Sequence, residues 1–261
     1  MQKRTIFLLL LVCFGLLSLS GENITGNQKI KSFSKAKKFL HSVIYSETID
    51  RLTFYCGCSY DSKKNVDQSS CGYVPGKDKK RAKRVEWEHI VPAAVLGESS
   101  KEWKYGSPDC VDRIGRHFKG RKCASKMNRA FQLMQADMYN LVPAIGEINS
   151  VRSDFSYGEI PGEKREFGKC DFEIENGIAE PADSIKGDIA RIYMYMNSAY
   201  PGLGIINEKN RAMFEKWNLS DPPDEKECRK GLEIEKIQGN QNSVLKKACE
   251  TVKSETLAII K

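Results

Sequence analysis

The chain has 261 residues, of which 40% are hydrophobic and 29% charged, with only 9 prolines. This composition is typical of a globular protein with one sizeable core and excludes collagen-like, low-complexity and prion-like classes. The formal net charge of +8 favours a polyanionic partner such as nucleic acid or membrane phosphate, although charge alone does not identify that partner.

Residues 1–20 have the pattern of a secretory signal peptide. Lys3 and Arg4 give a charged start, residues 6–17 form an apolar run, and small residues precede the expected cleavage site. The run is too short for a permanent membrane helix, so an uncleaved anchor is the less favoured alternative. We therefore expect residues 21–261 to form one exported domain without a membrane anchor. Cleavage would leave 40 basic and 34 acidic residues, a net charge of +6.

The cysteine count predicts disulfides. Of the 9 cysteines, one lies inside the apolar run. The others are Cys56, Cys58, Cys71, Cys110, Cys123, Cys170, Cys228 and Cys249. An even number in an exported chain predicts four disulfides, because that compartment oxidises thiols. A zinc site is the alternative, but the closest pair has one intervening residue rather than two, and the sequence has only 3 histidines. Eight cysteines permit roughly a hundred pairings, so the count does not select one.

In chain order, the apolar spacing of residues 32–45 predicts a first helix. Residues 54–58 are short and aromatic, which indicates either a strand or a disulfide-tied loop. Residues 61–84 are polar and strongly basic, so we expect a solvated loop with an edge that could face phosphates. A strand is predicted over residues 85–91, and residues 93–96 could begin a short helix.

The second half is expected to be mostly helical. Residues 98–126 contain many turn formers and charges, which predicts a long loop pinned by a local disulfide. A helix should run through residues 127–138, and Pro143 should start another at its first position. Further helices are predicted over residues 185–199, around 214–217 and from 225 onward. The sequence therefore predicts one helix-rich α+β domain with a small amount of sheet.

Two carboxylates and an imidazole lie within four positions, at Glu86, Glu88 and His89. A carboxylate is a hard oxygen ligand that suits Mg²⁺, and a neutral imidazole can take a proton near neutral pH. Glu88 and His89 thus predict a metal ligand and a general base side by side. Consecutive strand residues point to opposite faces, so both can reach one phosphate only where the backbone departs from regular strand geometry. Pro92 is consistent with such a departure.

A zinc protease site is excluded at this segment. Its helical motif needs His-Glu-x-x-His, whereas here glutamate precedes histidine and Ala93 stands where the second histidine would be. His41 and His117 lie far away in the sequence without ligand spacing. We expect both to be ordinary surface histidines.

A second segment, residues 136–149, contains Asn140 and is followed by Arg152. The amide oxygen of Asn140 could bind a hard metal ion without adding charge, but the local sequence alone favours a turn or cap residue. Arg152 could hold a phosphate oxygen through two hydrogen bonds, and its alternative is a surface arginine.

Together, these segments resemble the bacterial endonuclease I family of periplasmic or secreted nucleases. The matching stretches follow in order across nearly the whole mature chain: residues 54–58, 71–73, 84–93, 140–149, 188–196 and 236–240. The most specific are the Glu-Trp-Glu-His segment and the later Asn-Leu-Val-Pro-Ala segment.

The resemblance implies a ββα-metal core in which Glu88 and Asn140 hold Mg²⁺, other divalent ions being possible. In such a core, His89 would deprotonate the attacking water and Arg152 would grip the phosphate. The family further implies cleavage of DNA, often also of RNA, with little sequence preference and with 5′-phosphate ends. A periplasmic or secreted monomer is expected.

The same resemblance implies the pairings Cys58–Cys71, Cys56–Cys170, Cys110–Cys123 and Cys228–Cys249. Residues 94–126 depart from the family pattern and could alter substrate preference. Two alternatives stay open, a nuclease confined to RNA and a basic module that binds DNA without cutting it. Such a module would need the basic run but not Glu88 and His89 together.

Overall fold

The N-terminal helix forms where the apolar spacing predicts it. In the computed structural model, which describes residues 24–162 and 164–259, helix α1 (Phe33–Phe39) continues into a wider π-helical turn at Leu40–Ile44. The Ser32 side chain caps α1 by accepting a hydrogen bond from the amide of Lys35. The predicted signal peptide lies outside the described residues.

A two-stranded antiparallel sheet carries the centre of the sequence motif. Strand β1 (Val85–His89) pairs with β2 (Leu141–Ile145), and helix α6 (Gly146–Arg152) follows β2 directly. The prediction that Pro143 starts a helix is wrong, because Pro143 lies within β2. Its missing N–H is tolerated there, since its backbone faces away from β1 and its carbonyl accepts the amide of Phe54 at 2.7 Å.

The segment between the two strands is more helical than predicted. Residues 98–126 were expected to be a loop, yet they contain one short helix and most of another. Asn128 caps a new helix through its side chain, which divides the helix predicted over residues 127–138. The elements here are α2 (Ala93–Gly97), α3 (Lys101–Lys104), α4 (Gly120–Met127) and α5 (Arg129–Met134).

A second, three-stranded sheet follows α6 in the chain. Its strands are β3 (Ser156–Tyr157), β4 (Phe172–Glu175) and β5 (Ile178–Pro181), in the order β3-β5-β4. The hydroxyl groups of Tyr157 and Tyr55 lie 2.5 Å apart. Because the Tyr55 hydroxyl also lies 3.4 Å from Glu88 Oε1, these two tyrosines connect this sheet to the end of β1.

Long helices complete the C-terminal part. They are α7 (Lys186–Ala199), α8 (Glu208–Ser220), α9 (Glu225–Gln238) and α10 (Ser243–Ile259). Gly239, with a φ of 83°, ends α9 in the left-handed region, so the helix predicted from residue 225 is two helices. Across residues 24–162 and 164–259, none of the helices has the length and apolar content needed to cross a bilayer.

A buried polar cluster joins these helices to the rest of the fold. Asp137, at 0% exposure, accepts hydrogen bonds from the hydroxyls of Tyr195 and Tyr200 at 2.7 Å each and from the amide of Gln238 at 2.8 Å. The backbone amide of Asn27 adds a longer bond of 3.3 Å. One carboxylate thus connects the N-terminal segment with α7, the residues after it and α9.

Four disulfides cross-link the chain, and they are the pairs that the family resemblance implies. They join Cys56 to Cys170, Cys58 to Cys71, Cys110 to Cys123 and Cys228 to Cys249. Residues 54–58 are a disulfide-tied turn rather than a strand. The described residues form one helix-rich α+β domain, which confirms the predicted fold class.

Candidate active site

The end of β1 forms one wall of a cavity of about 830 Å³. Glu88 and His89 both line this cavity, although they are consecutive in the strand. The strand ends at His89, and the backbone bends at Ile90 and Val91 before α2 begins. Glu88 and His89 themselves are paired in register with Val142 and Leu141, so the departure from regular strand geometry expected near Pro92 lies directly after the pair.

The His89 ring is held as a neutral base. Its Nε2 lies 2.8 Å from the carbonyl oxygen of Gln135, and a carbonyl can only accept, so Nε2 carries the proton and Nδ1 keeps a lone pair. Burial, and next the positive charge of Arg121, lower the pKa of His89 to about 3. At neutral pH the imidazole is therefore uncharged and able to accept a proton at Nδ1.

An aromatic ring from α1 packs against this base. The Phe33 ring centroid lies 4.8 Å from that of His89. Two cations surround the same phenyl ring, with Lys37 Nζ 4.6 Å and the Arg121 guanidinium 5.3 Å from its centroid. Phe33 thus contacts both the base and two positive charges at the cavity wall.

Glu88 is a buried carboxylate at the cavity wall. It is 4% exposed, and its Oε1 accepts a hydrogen bond from Arg152 Nη1 at 3.0 Å and a longer one from the Tyr55 hydroxyl at 3.4 Å. Burial raises the pKa of Glu88 to about 7, against the opposing effect of the Arg152 charge. A further cation on the cavity side would favour the charged form.

Arg152 does not reach the cavity. Its side chain is 0% exposed, and its guanidinium donates to Glu88 and to the carbonyls of His89 and Ile90 at 2.9 and 2.6 Å. The guanidinium carbon lies 4.6 Å from the Tyr157 ring centroid. The phosphate-gripping role predicted for Arg152 does not fit this placement, because buried protein acceptors engage both terminal nitrogens, and Nε is buried without a partner among the described residues. Arg152 instead holds the Glu88 carboxylate and the backbone where β1 ends.

Asn140 closes the same bend from the opposite side. It is fully buried at the end of the 3₁₀ turn Met138–Asn140; its Oδ1 accepts from the amide of Val91 at 2.7 Å, and its Nδ2 donates to the Val91 carbonyl at 3.0 Å. The turn residue favoured by the local sequence is therefore present. An amide oxygen has a second lone pair, but Asn140 is 0% exposed and is not among the residues that line the cavity, so the structure places it behind the bend rather than at the cavity wall with Glu88.

The donor chemistry at this bend fits a hard divalent ion. Glu88 and Asn140 offer only oxygen atoms, which Mg²⁺ and similar ions prefer. In the part of the chain that the structure describes, no three or more side chains of histidine, cysteine, aspartate or glutamate cluster as a metal cage. Such a sparse set suits an ion that keeps several water ligands and binds substrate phosphate.

Positive side chains line the cavity mouth. They are Lys37, Lys38, Lys64, Arg81 and Arg121. Within the predicted basic run of residues 77–84, Arg81 is the side chain that lines the cavity, and its Nη2 lies 2.5 Å from an oxygen of Glu86. Arg84 binds the same carboxylate at 2.7 Å. Two cations of the basic run thus share the Glu86 carboxylate, and within the predicted loop of residues 61–84 the cations that line the cavity are Lys64 and Arg81.

Sequence reasoning missed Arg121. This residue lies on α4, lines the cavity and affects the pKa of His89, so it is an exposed guanidinium next to the base. Two signals pointed to it, namely its adjacent lysine and its position two residues before Cys123. The spacing of apolar residues could not identify Arg121, because residues 98–126 have the composition of a loop.

The two histidines expected at the surface differ. His117 is exposed, as predicted. The prediction is wrong for His41, which is half-buried in the π-helical turn after α1 and lines the cavity. Its Nδ1 is buried and has no hydrogen-bond partner among the described residues.

Comparisons with known proteins find relatives over most of the chain. The sequence profile of the endonuclease I family matches residues 32–249. An extracellular deoxyribonuclease of Aeromonas hydrophila is 37% identical over 227 residues, covering 85% of this chain and 90% of the relative. A periplasmic deoxyribonuclease of the same organism is 36% identical over 229 residues, covering 85% and 89%. Endonuclease-1 of Buchnera aphidicola subsp. Acyrthosiphon pisum is 39% identical over 202 residues, covering 76% and 74%.

Proposed function

This chain belongs to the endonuclease I family, and from that premise we propose that it hydrolyses DNA phosphodiester bonds outside the cytoplasm, with a divalent metal ion and with His89 as general base. Relatives named deoxyribonucleases, 36 to 37% identical over most of both chains, support DNA as the substrate. RNA is a second substrate in this proposal, and little sequence preference is expected because the cavity offers cations rather than a groove-reading element.

The observation that carries the proposal is the state of His89. Its Nε2–H is bound to the Gln135 carbonyl, which leaves the Nδ1 lone pair as the proton acceptor beside Glu88. A pKa of about 3 is low for a base; burial is its main cause, and the nearby charge of Arg121 lowers it further. A bound phosphate would offset that charge and raise the pKa of His89 toward the range in which a base is most effective.

Each surrounding residue then has a distinct task. His89 Nδ1 takes the proton from the attacking water, and the Gln135 carbonyl stabilises the resulting imidazolium by accepting from Nε2–H. Arg121, exposed at the cavity mouth, takes the phosphate-binding role that the sequence predicted for Arg152. Arg152 positions Glu88 and the backbone carbonyl of His89.

Glu88 and Asn140 are the residues that would hold the metal ion in this proposal. Mg²⁺ is the ion that an all-oxygen donor set favours, with other divalent ions possible. When bound, such an ion polarises the scissile phosphate and stabilises the leaving 3′ oxygen, which gives products with 5′-phosphate ends.

Export is supported by three independent observations. Residues 1–20 have the pattern of a signal peptide. The structure contains four disulfides, which persist in oxidising compartments. The relatives from Aeromonas hydrophila are named extracellular and periplasmic deoxyribonucleases. We therefore propose a periplasmic or secreted enzyme.

The decisive experiment is a plasmid-nicking assay with the oxidised protein, in EDTA and after Mg²⁺ is added back. We expect no nicking in EDTA, full recovery with Mg²⁺, and ligatable 5′-phosphate ends. Total RNA is incubated in parallel. Cleavage of RNA alone would identify the RNA-restricted alternative, and DNA binding without cleavage of either nucleic acid would identify the non-catalytic module.

A further inference from the structure

A second depression lies beside the active-site cavity, across a ridge made by Phe33 and Arg121. Its volume is about 530 Å³. The side chains lining it are Lys31, Ser32, Phe33, Ser34, Arg121, Lys122, Ser125, Gln132 and Gln135. Because Phe33, Ser34 and Arg121 line both spaces, the depression continues the surface of the cavity rather than forming a separate site.

The chemistry of this depression differs from that of the cavity. Its wall contains three cations, Lys31, Arg121 and Lys122, and no carboxylate. Within the described residues, neither lysine forms a salt bridge with an acidic side chain. The remaining polar groups are hydroxyls and amides, which can donate to phosphate oxygens. The wall therefore suits an anion and offers a metal ion no carboxylate.

The position of the depression relates it to the base. Gln135 lines the depression, and its backbone carbonyl holds the His89 ring at 2.8 Å. Arg121, which directly precedes Lys122 in the chain, lines both the cavity and the depression. A strand whose scissile phosphate lies at His89 and Arg121 can therefore continue over the ridge, with its next phosphates against Lys31 and Lys122.

We propose that this depression is a subsite for the nucleic-acid backbone, which binds phosphates beyond the scissile one. The inference rests on the proposed function, since it needs a nucleic-acid strand in the cavity. A subsite of this kind adds affinity only for strands long enough to cross the ridge. It reads charge and not base identity, so its contribution should be independent of sequence and weaken with salt.

The test compares the Lys31→Ala/Lys122→Ala variant with wild type on a series of oligonucleotides of increasing length. For long oligonucleotides we expect KM to rise roughly tenfold at low salt, with kcat changed much less. The rise should shrink as the substrate shortens and disappear for one too short to cross the ridge. In the inactive His89→Ala background, the same two substitutions should lower the salt dependence of log Kd by about 1 to 2 units of slope.

A matched control removes the same charge elsewhere. Lys209 and Lys247 are exposed on α8 and α10 and line neither the cavity nor the depression. The Lys209→Ala/Lys247→Ala variant should keep the wild-type KM at every length. Circular dichroism and thermal midpoints establish that both variants fold.

Three outcomes would overturn the subsite. These are an equal rise in KM for the shortest and longest oligonucleotides, an unchanged KM at all lengths, and an equal rise in the control variant. Failure of the proposed function looks different, because wild type itself would then cleave no oligonucleotide in Mg²⁺.

Discussion

Two carboxylates, Glu88 and Asp137, are both buried, but they differ in how many hydrogen-bond donors the protein supplies to them. Burial raises the pKa of both. Asp137 is enclosed by donors from the protein, with the hydroxyls of Tyr195 and Tyr200 and the amide of Gln238 all within 2.8 Å. Glu88 has one close donor, and it lines a cavity that contains further cations.

The comparison shows that a shifted pKa does not by itself identify a functional carboxylate. The useful criterion is whether the protein satisfies the group completely. Asp137 has its hydrogen bonds supplied by the fold, so its role is to hold helices together. Glu88 is open toward the cavity and can take another ligand there. Activity should therefore depend on the Glu88 region and stability on the Asp137 region.

The largest effect on activity is expected at His89, which adjoins Glu88. The His89→Ala substitution removes the proton acceptor, so kcat for plasmid nicking should fall about 10²-fold or more. The matched control is His117→Ala, at an exposed position outside the cavity. Near-normal cleavage by a folded His89→Ala protein would remove His89 from the mechanism.

The second prediction concerns pH. The pKa of Glu88 is about 7 in the folded protein against a reference value of 4.5, so the folded state binds more protons between these values. Its contribution to the free energy of unfolding therefore decreases as pH rises from 4.5 to 7. Glu88→Gln lacks this decrease, and its stability relative to wild type should rise across that window by up to about 3 kcal/mol.

Urea unfolding in EDTA at a series of pH values measures this difference. The pKa of His89, about 3 in the folded protein against 6.5, makes stability fall as pH drops from 6.5 toward 3. That effect is common to both proteins and cancels in the difference. A flat difference between pH 4.5 and 7 would show that Glu88 titrates normally.

The third prediction concerns the contribution of the Asp137 region to the free energy of unfolding. In Asp137→Asn, an amide NH₂ replaces an acceptor that two tyrosine hydroxyls need, so the free energy of unfolding should drop by about 1–3 kcal/mol. Denaturant unfolding measures the loss. The kcat of the folded fraction should stay within a few-fold of wild type, and a 10²-fold loss in kcat without destabilisation would erase the distinction between the two carboxylates.

The smallest effect is expected at Phe33, which touches the base without reacting. Phe33→Leu removes an aromatic face from His89 and Arg121, so kcat/KM should fall roughly two- to tenfold. Phe39→Leu is the control, because Phe39 lies on the same helix near Lys35 but does not line the cavity. Equal losses in both variants would assign the effect to α1 packing.

Sequence alone predicted most of the elements and the Glu88–His89 pair, because apolar spacing and adjacency are local properties. It misplaced Pro143, because proline is common at the first position of helices. Nothing in the local sequence indicates that the Pro143 backbone faces away from the partner strand. It also could not distinguish two arginines, Arg121 and Arg152. Their difference is burial, which depends on how α4 and α6 pack around β1 and has no local signature.

Asn140 also shows that contacts between distant segments cannot be predicted from local sequence. The local sequence favoured a turn residue, and the family resemblance favoured a metal ligand. The structure shows the turn and the two bonds to Val91 that hold the bend after β1. These bonds join residues 49 positions apart, a contact that no local pattern encodes.

The disulfide between Cys56 and Cys170 spans 114 positions and closes the chain into a covalent ring. The ring contains Glu88, His89, Arg121, Asn140 and Arg152. A protease that cuts once inside it, for example in the exposed stretch before α4, opens the ring but releases no fragment. One cut between α1 and Cys56, in contrast, leaves α1 and Phe33 attached only by noncovalent contacts, among them the hydrogen bonds of Asn27 to Asp137 and to the Leu133 carbonyl.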